Sequence, residues 1–174
     1  MKKVLNKIIL IVILIAINFF LWQEVLFSSK ESGLLTVSFL DIGEGDAILI
    51  DDSFGNQILI DSGNGEKILK ALDKNMPIHD KKIELAILTH PDADHMKGFI
   101  DVINAYEVSE FLYTGVKKDS RAYNDLLELI EKESIDLKIA VQGQDIALAN
   151  GADLYVLYPD KNLEGFESEN TNDY

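Results

Sequence analysis

The chain contains no cysteine. Disulfides, thiolate metal sites and cysteine nucleophiles are therefore excluded, and any bound metal must be held by imidazole or carboxylate. Histidine is scarce too, with His79, His90 and His95 the three in 174 residues. Positive charge is thin: 16 basic side chains stand against 30 acidic ones, and Arg121 is the only arginine. Residues 31–174 alone hold 12 basic and 29 acidic side chains, a net of −17. Non-specific nucleic-acid affinity comes mainly from Lys and Arg neutralising phosphates, so a nucleic-acid substrate would need metal ions or a local basic patch. Acidity of this degree serves solubility first. The sequence has no internal repeat and no low-complexity tract, and its length suits one domain.

What the chain does have, at its start, is a long apolar run. Lys2, Lys3 and Lys7 in the basic segment 1–7 precede residues 8–27, whose apolar stretch runs from Ile8 through Trp22 to Phe27. As a helix that span of about 20 residues is about 30 Å long, enough to cross a bilayer. The lysines predict an N-terminus inside and the remainder outside, at the cell membrane with a single pass. A cleavable signal peptide needs small residues at −3 and −1 of the cleavage site, and Phe27-Ser28-Ser29-Lys30-Glu31-Ser32 offers no clean pair. The run is read as an uncleaved anchor, with residues 28–33 a short polar linker to a domain over 34–174.

Within that domain antiparallel strands come first and strand–helix alternation follows. Leu34–Leu40, Ala47–Asp51 and Gln57–Ile60 read as strands separated by glycine turns. Asn64 is the expected cap of a helix over Glu66–Lys74. Ile83–Leu88, apolar except for Glu84, has the pattern of a strand buried on both sides. A helix over Phe99–Tyr106, a strand over Val108–Tyr113, a helix over Arg121–Lys132 and a strand over Leu137–Val141 follow. Asn150-Gly151 signals a hairpin between Ile146–Leu148 and Leu154–Tyr158. This order predicts an α/β architecture, helices covering a mixed sheet. After Pro159 no closing element is evident, and the chain is expected to be truncated.

The richest chemistry lies just after the buried strand. His90-Pro91-Asp92-Ala93-Asp94-His95 packs two histidines and two carboxylates into six residues. Open α/β sheets place their ligands at the carboxyl ends of strands. These donors suit a one- or two-metal site that lowers the pKa of bound water and clamps an oxyanion. A bland alternative is a polar loop whose aspartates cap a helix starting near Lys97. Asp94 and His95 are expected to diverge on an extended loop. A catalytic metal usually takes three protein ligands and an open position. His79 reads as an exposed loop residue, so further ligands must be carboxylates or lie beyond residue 174. Two weaker motifs accompany the loop. In Asp41-Ile42-Gly43-Glu44-Gly45-Asp46 the glycines permit a tight turn or a close approach, and Asp41 and Asp46 are candidates to support the metal ligands. Asp61, at the end of an apolar strand before Ser62-Gly63, is another such carboxylate. Ser62 lacks the G-x-S-x-G surroundings of a nucleophile.

Together the three motifs resemble the metallo-β-lactamase superfamily, whose metal signature is H-x-H-x-D-H after a buried strand. Asp92 stands in place of the second histidine. That variant, with Phe39-Leu40-Asp41-Ile42-Gly43-Glu44-Gly45-Asp46-Ala47 and Leu59-Ile60-Asp61-Ser62-Gly63, resembles the hydrolase domain of ComEC-type DNA-uptake competence proteins. The resemblance implies an αββα sandwich, of which residues 34–174 supply mainly the N-terminal half. It implies Zn²⁺ or Mn²⁺, one or two ions, with His90 and Asp92 at the first metal position and Asp94 and His95 at the second. Asp94 would also orient the attacking water, and Asp61 would match the family's strand-end acid. Glu44 stands where these relatives usually have Gln, and Asp92 makes the donor set more oxygen-rich and more tolerant of Mn²⁺. The family's later ligands are absent, and Asn172-Asp173-Tyr174 resembles the start of the second half. The expected function is an anchored, extracytoplasmic hydrolase of phosphodiester bonds, with DNA a candidate substrate. A non-catalytic anchored binding module on the same fold is the alternative. A partner chain covering exposed sheet surface is also expected, as are weak metal binding and little hydrolysis by these residues alone.

Overall fold

The computed structural model describes residues 2–28 and 33–168. Most of the expected linker and the segment around Asn172-Asp173-Tyr174 lie outside the described residues. The chain divides into two compact units, residues 1–32 and 33–174. In the first, helix α1 runs Lys2–Ser28, so Ser28 belongs to the helix and not to a linker. Val4–Trp22 is long and apolar enough to cross a membrane, as a span or as a signal sequence. Asn18 turns its amide back to the Leu14 carbonyl at 2.9 Å, which satisfies the side chain within the helix itself.

The second unit is built on a six-stranded sheet of order β1-β2-β3-β4-β5-β6. Strands β1 (Thr36–Phe39), β2 (Ile48–Asp51) and β3 (Gln57–Ile60) pair antiparallel. Strands β3, β4 (Lys82–Leu88), β5 (Glu107–Tyr113) and β6 (Asp136–Ile139) pair parallel. Parallel neighbours need crossovers. Helices α2 (Lys67–Asn75), α3 (Ala93–Met96), α4 (Gly98–Ala105) and α5 (Arg121–Lys132) supply them. The mixed α/β architecture read from the sequence is therefore the one observed, with each strand of this sheet within about two residues of its expected bounds.

Alternation along the strands sorts the sheet into two faces. Leu49, Leu59, Ala86 and Phe111 point to the helices. There they join Ile68, Ala71 and Leu72 of α2, Phe99, Val102 and Ile103 of α4, and Tyr123, Leu126 and Ile130 of α5 in one buried cluster. The Phe99 and Phe111 rings meet edge to face at 5.0 Å, and truncating either would cost about 3–5 kcal/mol. Ile50, Ile58, Leu85 and Leu112 point the other way. That face packs against Leu148 and the hairpin of β7 (Asp145–Ala147) and β8 (Asp153–Tyr155). The hairpin turns at Asn150-Gly151 as the sequence signals, with the Ala152 amide on the Asn150 side chain at 3.0 Å.

Two helix starts differ from expectation. Glu66, not Asn64, is the N-cap of α2, and it makes no side-chain cap bond. The loop after β4 already turns helical at Ala93, in a short α3 ahead of the helix α4 that starts at Gly98 beside the expected Lys97. Ser120 caps α5 conventionally, accepting from the Tyr123 amide.

Candidate metal centre

The site sits at the carboxyl ends of β3 and β4. At the end of β3 the Asp61 amide donates to the Ile87 carbonyl at 2.8 Å, continuing the parallel ladder. Asp61 then takes φ of +55°, a left-handed conformation that aspartate tolerates better than most residues. The turn leaves its carboxylate buried, 4 % exposed, under the start of the metal loop.

That carboxylate organises the loop. Its Oδ1 accepts the Thr89 amide at 2.9 Å and its Oδ2 accepts the Thr89 hydroxyl at 2.6 Å. Oδ2 also lies 2.9 Å from His95 Nδ1, where only a ring N–H can donate. With its proton committed to Asp61, the Thr89 oxygen accepts from His90 Nδ1 at 2.9 Å. Both imidazoles are thus assigned, from the hydrogen-bond network, as Nδ1–H tautomers. Each keeps an Nε2 lone pair for another partner, the arrangement by which second partners prepare histidines to bind metal. The two rings lie 3.9 Å apart, centroid to centroid.

The carboxylates of the loop stand beside those nitrogens. His90 Nε2 is 3.4 Å from Asp92 Oδ2, and His95 Nε2 is 3.8 Å from Asp94 Oδ2. Two ligands of one tetrahedral ion, each about 2.1 Å from it, lie about 3.4 Å apart. Ligand atoms of Asp61, His90 and His95 also all fall within 4.8 Å of one another. These donors fit a divalent ion by geometry, tautomer and chemistry. Asp94 and His95 do not diverge, because helix α3 replaces the expected extended loop. Asp92 occupies the N-cap position of α3 but makes no side-chain cap bond. Its Oδ1 instead receives the Lys118 ammonium at 2.8 Å.

The two glycine motifs serve this loop from either side. A Cβ on Gly45 would fall 1.7 Å from the Asp94 carbonyl oxygen, and one on Gly63 would fall 2.0 Å from Ile42 Cδ1. Only a glycine lets the Gly43–Asp46 turn press against α3 this closely. Ser62 is fully buried and donates its hydroxyl to the His95 carbonyl at 3.0 Å. It pins the helix and is no nucleophile. Asp41 is exposed. Asp46, with Gly45, Phe39, Asp61, His90 and His95, lines an open cleft of about 440 Å³. His79 is exposed in its loop, as expected. A second hollow of about 520 Å³, lined by Lys97, Asp101, Arg121 and Asp125 among others, contains no histidine.

Sequence reasoning overlooked two residues. Thr89 lies within the loop and links Asp61 to His90, but nothing in its sequence surroundings marks it. Lys118 is one of two adjacent lysines, 26 residues beyond Asp92, and only the fold brings it to the site.

A buried strand ending in imidazole and carboxylate donors, on a mixed sheet with helices packed against one face, defines an α/β protein with a site able to hold a metal ion. The model of the Metallo-beta-lactamase superfamily matches residues 40–153, well over half the chain and all three motifs. The chain belongs to this superfamily, whose members are generally metal-dependent hydrolases. No curated protein matches it.

Proposed function

We propose that this protein is a membrane-anchored, extracytoplasmic hydrolase of phosphodiester bonds, of the ComEC type, with DNA as its candidate substrate. The observation that carries the reading is the donor set itself. Asp92 replaces a histidine, so the loop offers one imidazole fewer, and the Asp94 carboxylate stands beside His95 Nε2. Such oxygen-rich sites suit hard ions such as Mn²⁺ beside Zn²⁺, and hard ions suit phosphoryl oxygens. A bound ion would supply Lewis acidity toward a phosphoryl oxygen and a more acidic water.

The protein's own residues do the rest. Asp61 and Thr89 hold the imidazoles in the binding tautomer. The Asp94 side chain is 53 % exposed and 3.8 Å from His95 Nε2, which supports a role in orienting a water and accepting its proton. Phe39, 80 % exposed at the cleft wall, offers an aromatic face on which any base can stack. Lys2, Lys3 and Lys7 ahead of the apolar stretch from Ile8 support the outward orientation of the domain.

The test is cleavage of bis(p-nitrophenyl) phosphate and of single-stranded DNA by the full chain in detergent, with Mn²⁺ and with Zn²⁺. Asp94→Ala is expected to lower turnover by about 100-fold; unchanged turnover would sink the role of Asp94. The net charge of −14 favours a second reading, a non-catalytic anchored binding module. Stoichiometric metal without turnover on either substrate would decide for it.

A further inference from the structure

Lys118 is the least expected group at the centre. Its side chain is 5 % exposed, and its ammonium lies 2.8 Å from Asp92 Oδ1. Buried lysines persist only where paired, so this charge belongs to the design of the loop. Its backbone is held as well. The Lys117 amide donates to the Phe166 carbonyl and the Ser168 amide to the Lys117 carbonyl, each at 2.8 Å, a short parallel bridge beside Lys118. The Ser120 amide closes on the Lys118 carbonyl at 2.9 Å. The ammonium is therefore pinned against Asp92 rather than carried on a free side chain.

Asp92 is also the residue that departs from the family signature. The other face of its carboxylate, Oδ2, is turned to His90 Nε2. A divalent ion placed between His90 and Asp92 would share that carboxylate with an ammonium already in hydrogen-bond contact. Like charges so close in a partly buried site repel strongly. The pair His95 and Asp94 carries no such cation among the contacts of the described residues.

We propose that Lys118 is a built-in cation that takes over the counter-charge role of the first metal ion, so that the centre binds a single divalent ion on its Asp94 and His95 side. The inference rests on the metal-dependent reading above. Lys118 is a positioning residue, acting through Asp92.

The test counts bound Mn²⁺ by equilibrium dialysis and by electron paramagnetic resonance on the full 174-residue chain in detergent micelles. The wild-type chain takes up about one equivalent, the charge that Lys118 supplies having displaced the other. Lys118→Met removes the ammonium that faces Asp92 Oδ1 and gains a second equivalent, with a spin-coupled Mn–Mn signal. Lys118→Arg keeps the charge and stays at one. Asp92→Asn also keeps its single ion, because Asp92 is not a ligand of it. A role for Lys118 in folding alone could lower metal uptake but could not raise it. Two equivalents in the wild-type chain, or loss of the ion in Asp92→Asn, overturns the role of Lys118 and leaves the hydrolase reading standing. No Mn²⁺ or Zn²⁺ bound by any folded chain overturns both. If Lys118→Met does not fold, the wild-type count, Lys118→Arg and Asp92→Asn decide the matter by themselves.

Discussion

Asp52 and Asp61 flank the same four-residue strand, and both are buried, at 1 % and 4 % exposure. Both carboxylates are saturated with hydrogen bonds. Asp52, before β3, accepts the Phe54 and Asn56 amides, the Asn56 side chain and, from the β7–β8 hairpin, the Ala149 amide. Its partners are all amides, which can only donate and cannot titrate in this range. Asp61, after β3, accepts from an amide, a hydroxyl and an imidazole. Two of those three can bind something else in turn. The same residue type in the same degree of burial thus clamps a turn at one end of the strand and prepares a metal loop at the other. What separates them is the chemistry of the partners, not burial or charge.

The largest expected consequence is on metal affinity. Asp61→Asn keeps the shape but removes the carboxylate that fixes His95, and is expected to weaken Mn²⁺ and Zn²⁺ binding about 10–100-fold, read by calorimetric titration. The circular dichroism spectrum should stay that of the parent. An unchanged affinity would erase the distinction between the two acids.

Asp52→Asn should show the reverse pattern. An amide nitrogen facing other donors leaves a buried clash and unsatisfied amides, a loss of about 1–3 kcal/mol in chemical denaturation. Metal affinity should be unchanged. Acid titration sharpens this further. Burial raises the Asp52 pKa, but hydrogen bonds from the Asn56 side chain and from the Phe54, Asn56 and Ala149 amides outweigh it, and the net shift is downward. A depressed folded-state pKa gives stability that is full above the unfolded value and is lost as pH falls through the folded one. Asp52→Asn should flatten that acid limb of the stability profile.

Gly45→Ala tests whether the metal loop depends on close packing as well as on Asp61. Its φ is +87° and its Cβ would meet backbone, so a loss of more than about 1 kcal/mol is expected, with weakened metal binding because α3 must move. Gly55 has φ of +94° and open space around it. Gly55→Ala should show the conformational strain alone, without any effect on metal.

The smallest effect is expected at a third acid. Asp73 is held below its ordinary pKa by the Lys81 hydrogen bond, against some desolvation and with help from Tyr106. Both partners are half-exposed or more, so Asp73→Asn should cost no more than about 1 kcal/mol. It sets the floor against which Asp52 is judged. A larger loss would mean that solvent exposure is a poor guide to these carboxylates.

Much of this molecule was legible before folding. Apolar runs rich in β-branched and aromatic residues announced β3, β4 and β5, and the apolar stripe Tyr123–Leu126–Ile130 announced α5. The metal loop could be read because its donors are contiguous. Asn64 was misread as a cap because capping depends on where the first helical turn closes, which here lies two residues later. The loop conformation of Asp94 and His95 was misread because a four-residue helix is too short to have a period. Thr89 and Lys118 were invisible for different reasons. Threonine at a strand end has many uses, and Lys118 acts across 26 residues of intervening chain.

The sequence by itself determined the class of chemistry, since the absence of cysteine and the clustering of His90, Asp92, Asp94 and His95 leave only nitrogen and oxygen donors. It determined the succession of strands and helices along the chain in outline too, because hydrophobic period is a local property. Only the tertiary structure decided which atom of each histidine is free, and which acid carries a cation already. Those are properties of contacts between distant segments, set when β3 closes on β4 and the Lys118 loop closes on Asp92, and no local pattern encodes them.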